Sequence, residues 1–227
     1  MSDPAGERAA AGAEAPPVLH LASASARRRD ILAALGLRFT WAGVDIDETP
    51  LAGESPDTLA RRLAVGKMRA ARDRGVQAPV ILGADTVVTL ENRLFGKPAS
   101  RDDACDMLSQ LSGRVHTVIT AVAAAVDGRE LTALSATEVR FREIDAREAR
   151  LYWDTGEAAG KAGGYAVQGL GGIFVESLSG SYSGVVGLPV FETAALLQQA
   201  GIDVLGDVQK GQTPCPTIRP GKKSWSM

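Results

Sequence analysis

Two long apolar runs place the main constraint on this chain. "RVHTVITAVAAAV" (residues 114–126) and "ELTALSATEVRFREI" (130–144) both have strand character and lie on either side of Asp127-Gly128. That dipeptide supplies the positive-φ residues a tight hairpin requires, so the two runs are expected to pair antiparallel. Other strand-like runs arrive through helices. Val18–Ala22 leads through a helix over Arg27–Leu35, stopped by Gly36, to a second short strand at Phe39–Val44. "SPDTLARRLAVGKMRAARDRG" (55–75) has Ser55 as N-cap, Pro56 at the first helical position and Gly75 as its stop. It precedes "PVILGADTVV" (79–88), an apolar strand interrupted by Ala84-Asp85-Thr86. Hairpins inserted among helix-linked strands imply a mixed α/β sheet flanked by helices.

The rest of the pattern agrees. "VVTLENRLFGKP" reads as a hairpin about Glu91-Asn92, and "SRDDACDMLSQLSG" as a capped helix. A helix near Ala146–Thr155 is followed by a Gly-rich loop. Strands at Ile173–Ser177 and Tyr182–Val186 come next, and then a last helix from Pro189 to Ala200. The opening residues 1–17 and closing residues 209–227 are Ala-, Gly- and Pro-rich or polar, and are expected to be a disordered leader and tail. The folded unit is then one domain over 18–208.

Composition narrows the function. The 227 residues carry a net charge of -2, which argues against a broad nucleic-acid-binding face. Two cysteines, Cys105 and Cys215, give neither a disulfide framework nor a metal-ligand spacing, and two histidines are too few for a His-built metal site. Any metal would sit on carboxylates, as magnesium or manganese does. There is no signal-peptide pattern and no long apolar span, so the chain is expected to be cytoplasmic, with no membrane partner.

Asp85 is the leading candidate for chemistry. A carboxylate inside a buried strand is costly unless it is paired, hydrogen-bonded or metal-bound. It is either a structural Asp serving a turn, or a general base or metal ligand at a strand end. The acidic "DIDET" (45–49) is either a solvated loop or a second source of metal oxygens. In "LHLASASARRRDILAALG" (19–36, preceded by Val18) Ser23 and Ser25 stand before three arginines at a strand-to-helix junction. Hydroxyls, arginine forks and the free N–H groups of a helix start could cradle phosphate; a surface charge run is the alternative. Helical spacing turns Arg29 away from whatever Arg28 faces. Lys67, Lys97 and Lys161 are further positive partners. The Gly-rich "GKAGGYAVQGLGG" (160–172) is neither a P-loop nor a dinucleotide fingerprint, and its Gln168 is either a reader of a base edge or a structural amide. His116 reads as a sheet residue, Cys105 as a core thiol, and the tryptophans show no stacking pattern.

Together, "LASASARRRDIL", "DIDETP", "LAVGKMRA", "ILGADTVV", "FGKPAS", "LSGRVHTVITAVA", "TEVRFREI" and "GKAGGYAVQGLGG…SGSYSGVVGLPVFET" resemble the Maf family of septum-formation-inhibitor-like nucleoside triphosphate pyrophosphatases. The resemblance runs from about Leu19 to Leu197. It implies a twisted mixed sheet with a central cleft, related to inosine triphosphate pyrophosphatases, and hydrolysis of nucleoside triphosphates to monophosphate and pyrophosphate with magnesium or manganese. It also implies a possible homodimer. By resemblance, Asp85 is the proton acceptor, and Glu48 with Asp85 holds the metal. Ser23, Ser25, Arg27, Arg28, Lys67, Lys97 and Lys161 bind substrate and its phosphates. Arg27, Thr86 and Gln168 mark the subfamily acting on dTTP and UTP, rather than the one acting on 7-methyl-GTP. Asp30 departs from the Glu of many relatives and would shorten a contact to a helix or to the metal shell. The competing functions are a pyrophosphatase for a modified purine triphosphate and a non-catalytic nucleotide-binding regulator of cell division.

Overall fold

A computed structural model describes residues 17–206. The expected tail, the end of the domain at Val208 and all of the leader except Pro17 lie outside the described residues.

Among the described residues, seven strands form one mixed sheet. These are β1 (Leu19–Leu21), β2 (Phe39–Trp41), β3 (Ile81–Leu90), β4 (Arg93–Phe95), β5 (Val115–Val126), β6 (Arg129–Phe141) and β7 (Val175–Ser179). Their order is β2-β1-β3-β5-β6-β7, with β4 also on β3. β1 pairs parallel with β2 and β3, while the pairs from β3 through β7 are antiparallel. The two kinds of connection foreseen in the sequence therefore give the two halves of the sheet. The β5–β6 hairpin turns on Asp127 and Gly128 at φ 48° and 75°, and the β3–β4 hairpin on Glu91 and Asn92 at φ 51° and 66°. Both are the left-handed pairs that match strand twist.

Among the described residues, the helices that cover the sheet are α1 (Ala26–Ala34), α2 (Pro56–Asp73), α3 (Arg101–Leu111), α4 (Ala146–Asp154), α5 (Tyr182–Val186) and α6 (Val190–Gln199). Ser55 Oγ accepts from Thr58 N and Ser100 Oγ from Asp103 N, while Asp145 and Glu148 close a reciprocal cap on α4. None of the described helices is long and apolar enough to cross a membrane.

Two expectations need correction. Tyr182–Val186 is helical, not a strand, because Ser181 caps it: Ser181 Oγ accepts from Gly184 N, and Ser181 O from Val185 N. Gly187, at φ 127°, then ends the turn. The strand expected at Ile173–Ser177 begins two residues later, because Leu170–Phe174 closes into a 3-10 turn.

The core lies on both sheet faces. α2 packs Leu59, Leu63, Ala64 and Met68 against Ile81, Val87, Ile119 and Ala121. On the other face, α1 and α6 cover one end of the sheet through Leu32, Leu196 and Leu197. At the other end, Leu108, Tyr152, Tyr165 and Phe174 pack on Val118, Val139 and Phe141.

Candidate active site

The sheet parts along one edge of β3. β1 pairs there with Ile81 and Leu82, and β4 with Val88, Thr89 and Leu90. Residues 83–87 have no strand partner on that edge among the described residues. Side chains alternate across a pleated strand, so Asp85 faces α2 and Thr86 faces α1. β3 itself runs unbroken through both residues; the polar interruption read in the sequence is a change of lining, not of backbone.

A cleft of about 850 Å³ opens at this gap, lined by Ser23, Ser25, Arg27, Arg28, Lys67, Asp85, Thr86, Lys97, Lys161 and Gln168 and, of the acidic stretch 45–49, by Glu48 but neither Asp45 nor Asp47. On its acidic wall, Lys67 of α2 lies between two carboxylates, with Nζ 2.6 Å from Asp85 Oδ1 and 2.6 Å from Glu48 Oε1. Lys97 Nζ reaches Glu48 Oε2 at 3.4 Å. Asp85 Oδ2 takes no hydrogen bond from the described residues. Burial pushes the Glu48 carboxyl up, but bonds and charge from Lys67 and Lys97 outweigh it and hold the group below its ordinary value. The loop carrying Glu48 is itself tied to α2: Arg62 grips Glu54 with Nε and Nη2, at 2.7 and 2.8 Å, and donates to Thr49 O.

Gly83 explains how α2 comes so close. A Cβ there would lie 2.3 Å from Ala64 O and 2.7 Å from Met68 N. Only a bare Cα lets α2 press on the β3 backbone and deliver Lys67 to Asp85.

The arginine run divides as its spacing suggested. Arg28 is buried and donates to Gly187 O at 2.7 Å, Thr86 Oγ1 at 3.1 Å and Ser23 Oγ at 3.3 Å. A guanidinium carries five N–H groups, so two remain beyond these bonds. Arg27 lies half-buried in the cleft, where burial lowers its pKa. Arg29 turns outward and stacks on Trp41, its Cζ 3.8 Å from the ring centroid. Asp30 is exposed outside the cleft and makes no hydrogen bond or ion pair among the described residues.

Thr86 belongs to a chain of hydroxyls. Thr120 Oγ1 donates to Gly184 O at 2.7 Å, which leaves it only acceptor capacity towards Thr86 Oγ1 at 2.9 Å. Thr86 therefore gives its proton to Thr120, accepts from Arg28, and turns only a lone pair to the cleft.

The Gly-rich segment forms the remaining wall, with Lys161 and Gln168. Burial and the nearby Arg27 charge lower the Lys161 pKa, against the opposing Glu157. Beneath the segment, Glu157 accepts from Tyr152 Oη, Leu170 N and Gly171 N at 2.7, 2.9 and 2.9 Å. Tyr152, Glu157 and Thr120 were missed by sequence reasoning. Glu157, a charge three residues before the Gly-rich stretch, was the one visible signal. His116 is a core residue as expected, bonded through Nε2 to Tyr165 Oη at 2.8 Å.

Fold and cleft define an α/β protein whose one-sheet scaffold sets two carboxylates and a lysine against a wall of arginine, lysine and glycine. The family described as "Maf-like protein" matches residues 18–200. The chain belongs to that family. It is 47% identical over 192 residues to a "dTTP/UTP pyrophosphatase" of Alkalilimnicola ehrlichii, covering 82% of this chain and 95% of that protein. A protein of the same name from Saccharophagus degradans is 48% identical over 189 residues, covering 82% of this chain and 90% of the relative. One from Methylococcus capsulatus is 44% identical over 184 residues, covering 81% and 91%. Among solved structures, "The structure of the Staphylococcus aureus Ham1 protein" aligns over 54% of this chain and 71% of that one, at 14% identity and a TM-score of 0.39. That overlap is partial and adds nothing to the assignment.

Proposed function

We propose that this chain is a nucleoside triphosphate pyrophosphatase that converts dTTP and UTP to their monophosphates and pyrophosphate. One observation carries the reading: Asp85 and Glu48 meet at Lys67 on one wall of a cleft whose other walls bring Arg27, Arg28 and Lys161. A triphosphate needs cations along its length, and a water molecule needs a base beside the reacting phosphorus. The relatives named dTTP/UTP pyrophosphatase support the same substrate class.

In this mechanism Asp85 Oδ2, which takes no hydrogen bond from the described residues, accepts the proton of the attacking water. The water oxygen bonds to the α-phosphorus, the bond from that phosphorus to the bridging oxygen breaks, and pyrophosphate leaves. Arg28, Lys97 and Lys161 balance charge along the triphosphate, while the open start of α1 and the Ser23 and Ser25 hydroxyls supply short donors.

Glu48 and Asp85 fit a magnesium or manganese ion. No group of three or more His, Cys, Asp or Glu side chains gathers among the described residues. Glu48 and Asp85 would hold such an ion with two carboxylates, and hard ions of this kind accept the remaining oxygens from water or phosphate. When bound, such an ion neutralises phosphate charge and acidifies a water molecule.

The test measures pyrophosphate release from UTP, dTTP, CTP, ATP and 7-methyl-GTP, with magnesium or with EDTA. Turnover of UTP and dTTP with magnesium, lost in EDTA, is expected. Asp85→Asn should lower kcat by at least about 10²–10³, the scale of one preorganised contact, with its thermal melt retained. Preference for 7-methyl-GTP would move the substrate to modified purines. Binding without turnover would make the chain a regulator.

A further inference from the structure

The Gly-rich wall carries Lys161 and Gln168, yet neither side chain is fixed by its own neighbours. Among the described residues Lys161 Nζ donates only to Ala159 O, at 3.0 Å, and Gln168 is exposed beside Gly169. What fixes the segment lies underneath. The Glu157 carboxylate takes N–H bonds from Leu170 and Gly171, closing residues 157–171 into a loop fastened at both ends. Tyr152 Oη donates to the same carboxylate and accepts from Ala166 N at 3.1 Å, which ties down the middle.

Two glycines show how closely the parts fit. A Cβ on Gly169 would lie 2.1 Å from Glu157 Oε2, and one on Gly171 2.7 Å from Tyr152 Oη. Both positions must lack a side chain for the carboxylate and the phenol to reach the loop backbone. Gln168 immediately precedes the first of them. Its reach into the cleft is therefore set by where Glu157 holds residues 169–171.

We infer that Glu157 and Tyr152 form a positioning clamp that fixes Gln168 over the nucleobase and thereby helps select the nucleotide. Tyr152 lies outside the cleft lining, and Glu157, which does line the cleft, has its carboxylate turned to the Tyr152 phenol and the Leu170 and Gly171 N–H groups, so both act through the loop. The inference rests on the pyrophosphatase reading above, with a uracil or thymine base lying at the Gly-rich wall. A loop left untied must be ordered when the nucleotide binds, which weakens binding rather than slowing the bond-breaking step.

Glu157→Gln keeps the size of the side chain and removes its charge; Tyr152→Phe removes one hydroxyl. Each is expected to raise KM for UTP about tenfold, the scale of one charge-assisted hydrogen bond. In each, kcat should stay within about threefold and the preference for UTP over CTP should narrow. Introduced into a Gln168→Ala background, Glu157→Gln should add little, because partners acting through one another are non-additive. An unchanged KM, a fall in kcat at constant KM, or a full second loss in the Gln168→Ala background would each overturn the clamp. Where Glu157→Gln does not fold, Tyr152→Phe carries the same cycle. Reading the cycle by calorimetric UTP binding in EDTA keeps it decisive for a chain that binds without turnover, so failure of the clamp stays separate from failure of the activity.

Discussion

Gly83→Ala should damage stability and the site together. The added methyl would sit 2.3 Å from Ala64 O, 2.7 Å from Met68 N and 2.9 Å from Met68 Cβ, and two of these three atoms are helix backbone that cannot rotate away. α2 must retreat by about 0.7 Å before even a 3.0 Å contact is reached. Overpacking of this kind costs about 1–3 kcal/mol, which for a chain of this size lowers the melting temperature by roughly 2–4 °C per kcal/mol. Lys67 lies between Ala64 and Met68 on α2, so the retreat lengthens its 2.6 Å contact with Asp85. Misplacing catalytic groups by about 1 Å typically costs about 10²-fold in rate, so kcat for UTP should fall about 10- to 100-fold. Differential scanning calorimetry and pyrophosphate release from the purified variant provide the check. A variant with an unshifted melt and an unchanged kcat would refute the claim that α2 is seated on a bare Cα.

Thr120→Val removes the acceptor that takes the Thr86 proton and leaves Gly184 O unpaired, at about 1–3 kcal/mol. Thr86 could then donate into the cleft, so the ratio of kcat/KM for UTP over CTP should shrink; an unchanged ratio would exclude Thr86 as an acceptor for the base. Burial pulls His116 down to about 4 from 6.5, so the unfolded chain binds a proton that the folded chain refuses between those values. Stability is thus fully present above pH 6.5 and lost as pH falls towards 4, by about 2 kcal/mol at pH 5, with His20 shifted in the same direction. Urea unfolding at pH 7.5 and pH 5 should show that loss, and His116→Gln should flatten it; an equal slope in the variant would assign the loss elsewhere.

Much of this was legible in the sequence because local rules decided it. Asp127-Gly128 and Glu91-Asn92 fixed two hairpins, and Ser55 and Ser100 announced two helices. Asp85 stood out because a carboxylate in an apolar strand demands a partner, although its partner, Lys67, lies 18 residues away and looked ordinary. Tyr182–Val186 was misread because β-branched residues signal strand, while a five-residue helix depends on one serine cap. Tyr152 and Thr120 gave no local sign. Their roles arise from bonds to Ala166 N and to Gly184 O, contacts across 14 and 64 residues that only the folded chain creates.

The third arginine has a use far from any phosphate. β2 is the outermost strand of the sheet on its side, and its last residue, Trp41, is 48% exposed. An open sheet edge ending in an uncovered indole invites pairing with the edge of another molecule. Arg29 lays its guanidinium over that ring and leaves a permanent positive charge beside the edge. β2 is also only three residues long, which shortens the ladder a foreign strand could find. The same helical turn that turns Arg28 inward thus sets a fixed cation at the sheet's edge, the kind of charge that disfavours edge-to-edge pairing.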